Sequence, residues 1–424
     1  MNSNGIKFAL ILLLIVAFSG CDKNQEQKNF LEVTKERSLS VSPLIKMSKD
    51  SLRNKILGVL VGSAIGDAMG APTEMWTRDQ IKLQYGYVDN LDNMIREPSP
   101  EGTWDYNLTA GGTTDDTRWK VLTGDFFIEN SSSFFSKEGP DPSDFAEFII
   151  DQYSEEVKGL KQIESFEPAP YEEQMRRIAW LQEWALVAKP FAANDLEGYN
   201  DAISKFYGGD MACAGMLYAP SIGILYPGAP DAAYNAAYSL AIFDIGYARD
   251  ITALTSALVA AALPYDSTPE DILNVLKEID PKGYFKSRLL GRSSYRIYSD
   301  ALSIVDEARK TDDTGARLKM AYALLDAKNQ DVPFHAGEIH LINLTAIIYS
   351  DFDFQKSLEF VINYGRDNDT VAAVTGAILG AYHGYDQLPK NLTQKVLKTN
   401  KEKLGIDLEK LADELVAKMI SGSN

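Results

Sequence analysis

Cysteine and histidine are scarce in this chain. Its 424 residues include two cysteines, Cys21 and Cys213, and three histidines, His335, His340 and His383. So few cysteines exclude a disulfide framework. His335 and His340 stand five apart on one segment with no further ligands near them, a poor zinc pattern. None of the histidines pairs with a serine or cysteine motif, so a nucleophilic triad is not credible. His383 falls near a helix end, where it would cap carbonyls. Cys213 lies among Ala, Gly and Met and reads as a buried, inert thiol. Alternating strand patterns of useful length are missing as well, which argues against a sheet. The glycines near 208–228 are too irregular for a dinucleotide fingerprint. Positive charge is short too: 42 Lys and Arg face 60 Asp and Glu, a net charge of −18. Such a surface disfavours nucleic acid, whose binding depends on neutralising phosphates.

The N-terminus has its own pattern. Lys7 precedes an apolar run over residues 8–18, followed by Ser19-Gly20-Cys21. This order reads as a secretory signal over residues 1–20, too short for a comfortable membrane span. A cysteine directly after the small residues marks Cys21 for lipidation. Residues 21–47 are polar and mixed in charge, the composition of a tether. The expected location is therefore the cell envelope, periplasmic or surface-exposed, with the lipid anchor as the only membrane contact. With Cys21 lipidated, Cys213 would be the only thiol left, and the domain over residues 48–424 would depend on its core.

From Ser48 onward helical periodicity dominates. Helices are expected over residues 50–69, 115–129, 142–158, 171–188, 229–243, 249–263, 268–279, 293–310, 314–327, 337–349, 354–364, 369–383 and 406–419. Asp141-Pro142, Ala229-Pro230-Asp231 and Thr268-Pro269-Glu270 mark starts, with Pro in the first turn and acids nearby. The fold class is all-α, in a single multi-helix domain. The segment 130–170 reads as a surface excursion around one short helix. Gly58, Gly62, Gly66 and Gly70 recur every four residues, as do Gly376, Gly380 and Gly384. Gly costs a helix about 1 kcal/mol relative to Ala, so these stripes imply close helix packing at the centre of the domain.

Chemistry concentrates in two short runs. Thr114, Asp115 and Asp116 offer one hydroxyl and two carboxylates, and Asp367, Asp369 and Thr370 repeat that set about 250 residues later. Hard divalent cations take oxygen ligands of this kind. Asp369-Thr370 ahead of an apolar helix is, taken alone, most simply an N-cap. The N-terminal dipole would also keep nearby carboxylates ionised, so capping and cation binding are compatible. Thr311-Asp312-Asp313-Thr314 has the same letters as the first run but lacks the preceding Gly111-Gly112, and reads as an ordinary cap.

Together with Gly66-Asp67-Ala68-Met69-Gly70-Ala71-Pro72-Thr73-Glu74, these runs resemble the ADP-ribosylglycohydrolase family. That segment is similar to the family's Gly-Asp-Ala-x-Gly-x-x-x-Glu opening. Thr114-Asp115-Asp116-Thr117 is similar to its Thr-Asp-Asp-Thr motif, and Gly365-Arg366-Asp367-Asn368-Asp369-Thr370 to its Gly-Gly-Asp-x-Asp-Thr motif. The resemblance implies a glycosyl hydrolase with two Mg2+ ions, or Mn2+, held by Thr114, Asp115, Asp116, Asp367, Asp369 and Thr370. It also implies that Glu74 and Asp115 act as catalytic acid or base. Residues 208–223 loosely resemble the family's glycine-rich segment, which places Gly209, Asp210 and Ser221 on the substrate side. Asp67 joins them by orienting loop amides or water-bound ligands. Leu217 and Arg366 stand where the family pattern has Arg and Gly. The expected substrate is an ADP-ribosyl or related ribosyl compound, small or carried on a protein. A small nucleoside-like or carbohydrate glycoside, or a silent ligand-binding protein of the same fold, are the other readings.

Overall fold

Ser48 opens the first helix: its side chain accepts from the Ser51 amide at 3.1 Å, satisfying a donor that the helix itself cannot pair. The computed structural model describes residues 47–93, 108–130 and 139–422. The expected signal, Cys21 and the tether up to residue 46 lie outside the described residues. Helix α1 runs Lys49–Gly70, followed by α2 (Arg78–Gln84), α3 (Asp115–Glu129), α4 (Pro142–Lys161), α5 (Ala169–Ala192) and α6 (Leu196–Ile203). Then come α7 (Ala219–Gly223), α8 (Pro230–Leu240), α9 (Ala248–Ala262), α10 (Pro269–Glu278), α11 (Ser293–Arg309) and α12 (Thr314–Asp326). The chain ends with α13 (Ala336–Tyr349), α14 (Phe354–Tyr364), α15 (Asn368–His383), α16 (Lys390–Thr399) and α17 (Leu408–Gly422).

Every helix expected from periodicity is present, so the fold is all-α. The strand-free expectation needs one amendment: Trp76–Thr77 (β1) and Gly365–Arg366 (β2) form a two-residue antiparallel pair. Helix α4 is longer than expected, and it buries Phe145, Ala146, Phe148 and Ile149 while the rest of its length is half-buried or exposed.

Helices α1 and α15 make the centre. From Lys55 to Gly70 every residue of α1 is buried, the mark of a helix surrounded by others. The helix is long and apolar enough to cross a membrane, yet its apolar window lies wholly inside the domain. The glycine stripes explain how α15 approaches. A methyl group added at Gly58, Gly62 or Gly66 would overlap the backbone carbonyl of Gly380, Gly376 or Ala372 respectively. On the other side Gly376 and Gly380 meet the carbonyls of Gly62 and Gly58. The two backbones therefore touch, and packing offsets the helix propensity lost to glycine.

At one end of this pair the buried Lys55 ammonium donates to the carbonyls of Ala381 and Tyr382 at 2.8 and 2.6 Å, a cation closing the C-terminus of α15. His383 bonds a carbonyl as expected, but that of Phe352 at 2.8 Å, on a neighbouring turn. Helices α9, α13 and α14 pack on α15, and α16 and α17 on α1. The opposite end of the pair carries the acidic motifs.

Candidate metal centre

The first turn of α15 is built for display. Asp367 occupies the N-cap position, yet its side chain makes no capping hydrogen bond. Asp369 follows in the first turn, 2% exposed. Gly70, at the end of α1, lies so close that any side chain there would overlap the Asp369 backbone. The β1–β2 pair then folds the chain after α1 onto the chain before α15. Met75 donates its amide to the Arg366 carbonyl at 2.8 Å, and Trp76 faces Arg366 across the pair. This clamp brings Glu74 beside Asp367 and Asp369. One carboxylate oxygen from each of the three lies within 4.8 Å of the others.

The second motif enters through Asp67, which is fully buried. Its carboxylate accepts from the Thr114 and Thr117 amides at 2.9 and 3.0 Å, and from their hydroxyls at 3.0 and 2.6 Å. These bonds pin the start of α3 against α1. Asp116 then accepts from the Thr370 hydroxyl at 2.9 Å, and Thr114 Oγ1 stands 3.4 Å from Asp369 Oδ2. The two motifs thus meet across the central helix pair.

Burial and crowding shape the electrostatics. Burial first, then the charge of Asp116, pushes the Asp67 carboxyl up to about 7, against the pull of its Thr117 and Thr114 hydrogen bonds. Asp369 is pushed well above the carboxylate range by burial, then by Glu74, Asp367, Asp116 and Asp67. Carboxylates gathered this way repel unless a cation compensates them. Among the described residues Asp369 Oδ1 is also buried with no hydrogen-bond partner, a costly condition for an acceptor. An oxygen-only donor set with an unpartnered buried carboxylate oxygen fits a hard divalent cation.

Several expectations need correction or placement. Asp67 orients backbone amides as expected, those of Thr114 and Thr117, and its full burial turns it toward the α3 start. Ser221 is 1% exposed and its hydroxyl donates to the Lys120 carbonyl at 2.9 Å, so it holds α7 to α3 and does not face a substrate. Gly209 and Asp210 are exposed, and no contact described brings them into the carboxylate group. Asp115 is half-buried in the first turn of α3 and is not one of the three converging carboxylates. Cys213 is buried and free, and burial followed by the charges of Asp367 and Asp116 raises its thiol. The Asp313 side chain accepts from the Ala316 amide at 2.7 Å, so the second Thr-Asp-Asp-Thr is the cap it was expected to be.

Three contributors went unseen in the sequence. Asn368 donates to Thr73 Oγ1 at 2.9 Å and the Ile362 carbonyl at 3.1 Å, tying the two motif loops together. Arg366 forms a bidentate pair with buried Glu338 at 2.6 and 2.8 Å. Lys120, one helical turn after Asp116, is buried beside it. Its i,i+4 spacing from Asp116 was a signal available to sequence reading.

Known proteins agree with this architecture. A solved ADP-ribosylglycohydrolase-related protein complex superposes with a TM-score of 0.56, covering 87% of this chain and 99% of its own, at 17% identity. That likeness speaks for the fold alone, a multi-helix all-α domain. The ADP-ribosylglycohydrolase family matches residues 48–424, and the chain belongs to that family. It is therefore a glycosyl hydrolase by class. ADP-ribosylhydrolase ARH3 of Bos taurus is 25% identical over 359 residues, covering 80% of this chain and 88% of its own. The uncharacterized protein YegU of Escherichia coli is 23% identical over 356 residues, with 79% and 89% covered. ADP-ribosyl-[dinitrogen reductase] glycohydrolase of Rhodospirillum rubrum is 35% identical over 78 residues, 18% of this chain and 24% of its own.

Proposed function

We propose that this protein hydrolyses a glycosidic bond at the anomeric carbon of a ribosyl or related sugar, ADP-ribosyl compounds included, with Mg2+ or Mn2+ bound at Glu74, Asp367 and Asp369. The observation that carries the reading is the convergence of these three carboxylates, one of which, Asp369, keeps a buried oxygen with no hydrogen-bond partner among the described residues. A bound divalent cation orients a sugar diol and lowers the pKa of water. Thr114, Asp116 and Thr370 surround the carboxylates and complete the oxygen-rich wall. Asp115 and Glu74 are the proposed proton-handling groups. Asp115 is half-buried and so can reach a leaving group, whereas Glu74 faces the other carboxylates and suits the water side. Paired carboxylates also stabilise the positive charge that develops on a sugar ring in the transition state.

A second reading narrows the substrate to a small nucleoside-like or carbohydrate glycoside. Leu217, which stands where the family resemblance has Arg, is 6% exposed. An apolar buried residue there removes a charge that could hold a phosphate. Hydrolysis of ADP-ribosylated peptide, free ADP-ribose, nucleosides and simple ribosides should be followed with chelator, then after refilling with Mg2+ or Mn2+. Turnover of one class that chelator abolishes and metal restores is the expected result. Turnover insensitive to chelator, or no turnover of any riboside, would remove the proposal. We further propose lipid anchoring at Cys21 in the cell envelope. Mass spectrometry of the protein from its native membrane tests it, and an unmodified Cys21 would refute it.

A further inference from the structure

We propose that Lys120 is a built-in counter-cation for the Asp116 side of the centre, so that this chain binds one divalent cation where two would otherwise be expected. The inference rests on the metal-binding reading above and concerns the number of ions. Lys120 is 1% exposed, and burying an ammonium is costly unless it is paired and hydrogen-bonded. Both conditions are met by one residue. Lys120 Nζ donates to the Asp116 carbonyl at 2.8 Å and stands 3.5 Å from Asp116 Oδ1. The other carboxylate oxygen of Asp116 accepts from Thr370 Oγ1 at 2.9 Å. Both oxygens of Asp116 are thus engaged by the protein itself, and the converging group of Glu74, Asp367 and Asp369 forms without it.

The lysine is held in place from behind. Its carbonyl accepts from the buried Ser221 hydroxyl at 2.9 Å. Its neighbour Trp119 is fully buried, with ring centroids 4.1 Å from Trp184 and 5.7 Å from Tyr218. Turning α3 to swing the ammonium away would break that packing. A divalent cation coordinated by Asp116 Oδ1 at about 2.1 Å would then stand within about 6 Å of the ammonium. Two like charges that close in a buried site repel strongly.

The test is a count. Full-length protein stripped of metal is titrated with Mn2+, bound ions per chain are measured by calorimetry, and electron paramagnetic resonance distinguishes an isolated ion from an exchange-coupled pair. Wild type should bind one isolated Mn2+, Lys120→Met a coupled pair, and Lys120→Arg one ion again. A coupled pair in wild type overturns the counter-cation and leaves the metal centre standing. One ion in both wild type and Lys120→Met overturns it too. No bound ion in wild type overturns the metal reading itself. Should Lys120→Met fail to fold, the wild-type spectrum and the Lys120→Arg count still decide the matter.

Discussion

Gly70 and Asp369 meet backbone to backbone: a side-chain carbon on Gly70 would lie on the Cα of Asp369. The glycine stripe of α1 therefore ends at the acidic centre, and close helix packing becomes the device that sets the position of a carboxylate. Gly70→Ala should displace Asp369, lowering divalent affinity as well as stability. Further from the centre, Gly62→Leu and Gly380→Leu should each cost about 1–3 kcal/mol or more, since they push apart backbones that cannot yield like side chains. Thermal unfolding of the three variants, with and without Mg2+, checks both parts. A metal-induced shift in melting temperature unchanged in Gly70→Ala would break the link between stripe and centre.

The carboxylates themselves make a second prediction. Because a cation binding only the native state stabilises it by linkage, Mg2+ or Mn2+ should raise the wild-type melting temperature. Asp369→Asn should abolish that shift and the hydrolytic activity while the helical circular dichroism stays intact. Asp116→Asn should weaken both, since it removes a carboxylate charge from the wall and turns one of its two acceptor oxygens, which face Thr370 and Lys120, into a donor. Asp313→Asn is the control: Asn caps a helix about as well as Asp, so α12 keeps its start and metal binding is untouched. Equal metal shifts in Asp369→Asn and wild type would dismiss the site.

Much of this was legible in the sequence, for identifiable reasons. The long helices announce themselves because an apolar stripe must recur through several turns. Helices α2, α6, α7 and α16 did not: α2 buries only Ile81, and a helix this short leaves no period to read. The glycine stripes predicted the contact of α1 with α15, because small residues at four-residue spacing have few other uses in a buried helix. The capping interpretation of Asp369-Thr370 could be decided only by geometry, since the N-cap position falls on Asp367, whose side chain makes no cap bond, and Asp369 stands in the first turn. Glu74 reaches the centre through a two-residue strand pair, an element too brief to leave any pattern. Ser221 misled because a hydroxyl facing a neighbouring carbonyl and one facing a substrate look alike in a string of letters.

Arg366 supplies a third prediction. Its φ of 68° is a conformation that costs a non-glycine residue, and it directly precedes Asp367. The bidentate pair with Glu338, which is 1% exposed, holds it there, aided by a bond from Nη2 to the Gln330 carbonyl at 2.8 Å. Arg366→Ala would leave a buried carboxylate without its cation, at a cost of about 2–4 kcal/mol. Adding Glu338→Ala should recover part of the loss, giving a coupling energy in a double-mutant cycle. Arg366→Gly relieves the backbone but forfeits the pair, so it too should be less stable than wild type. Chemical denaturation of the five proteins measures this, and additive effects of Arg366→Ala and Glu338→Ala would show that the pair contributes nothing.

The last prediction concerns pH and a group that is not one of the converging carboxylates. His340 is fully buried in α13, and neither ring nitrogen has a hydrogen-bond partner among the described residues. Burial lowers its pKa from 6.5 to about 4, against a small opposing pull from Asp250. The unfolded chain therefore binds a proton between these values that the folded chain refuses. Stability from this group is complete above about pH 6.5 and falls as pH drops toward 4, by up to about 3 kcal/mol. His340→Leu removes the titrating group and the unpaired nitrogens together at similar volume, so it should flatten that part of the stability profile. Denaturation midpoints measured from pH 4 to 8 for wild type and variant provide the comparison. If the two profiles ran parallel across that range, acid sensitivity would have to come from other groups, and the buried imidazole would be satisfied by water within the core.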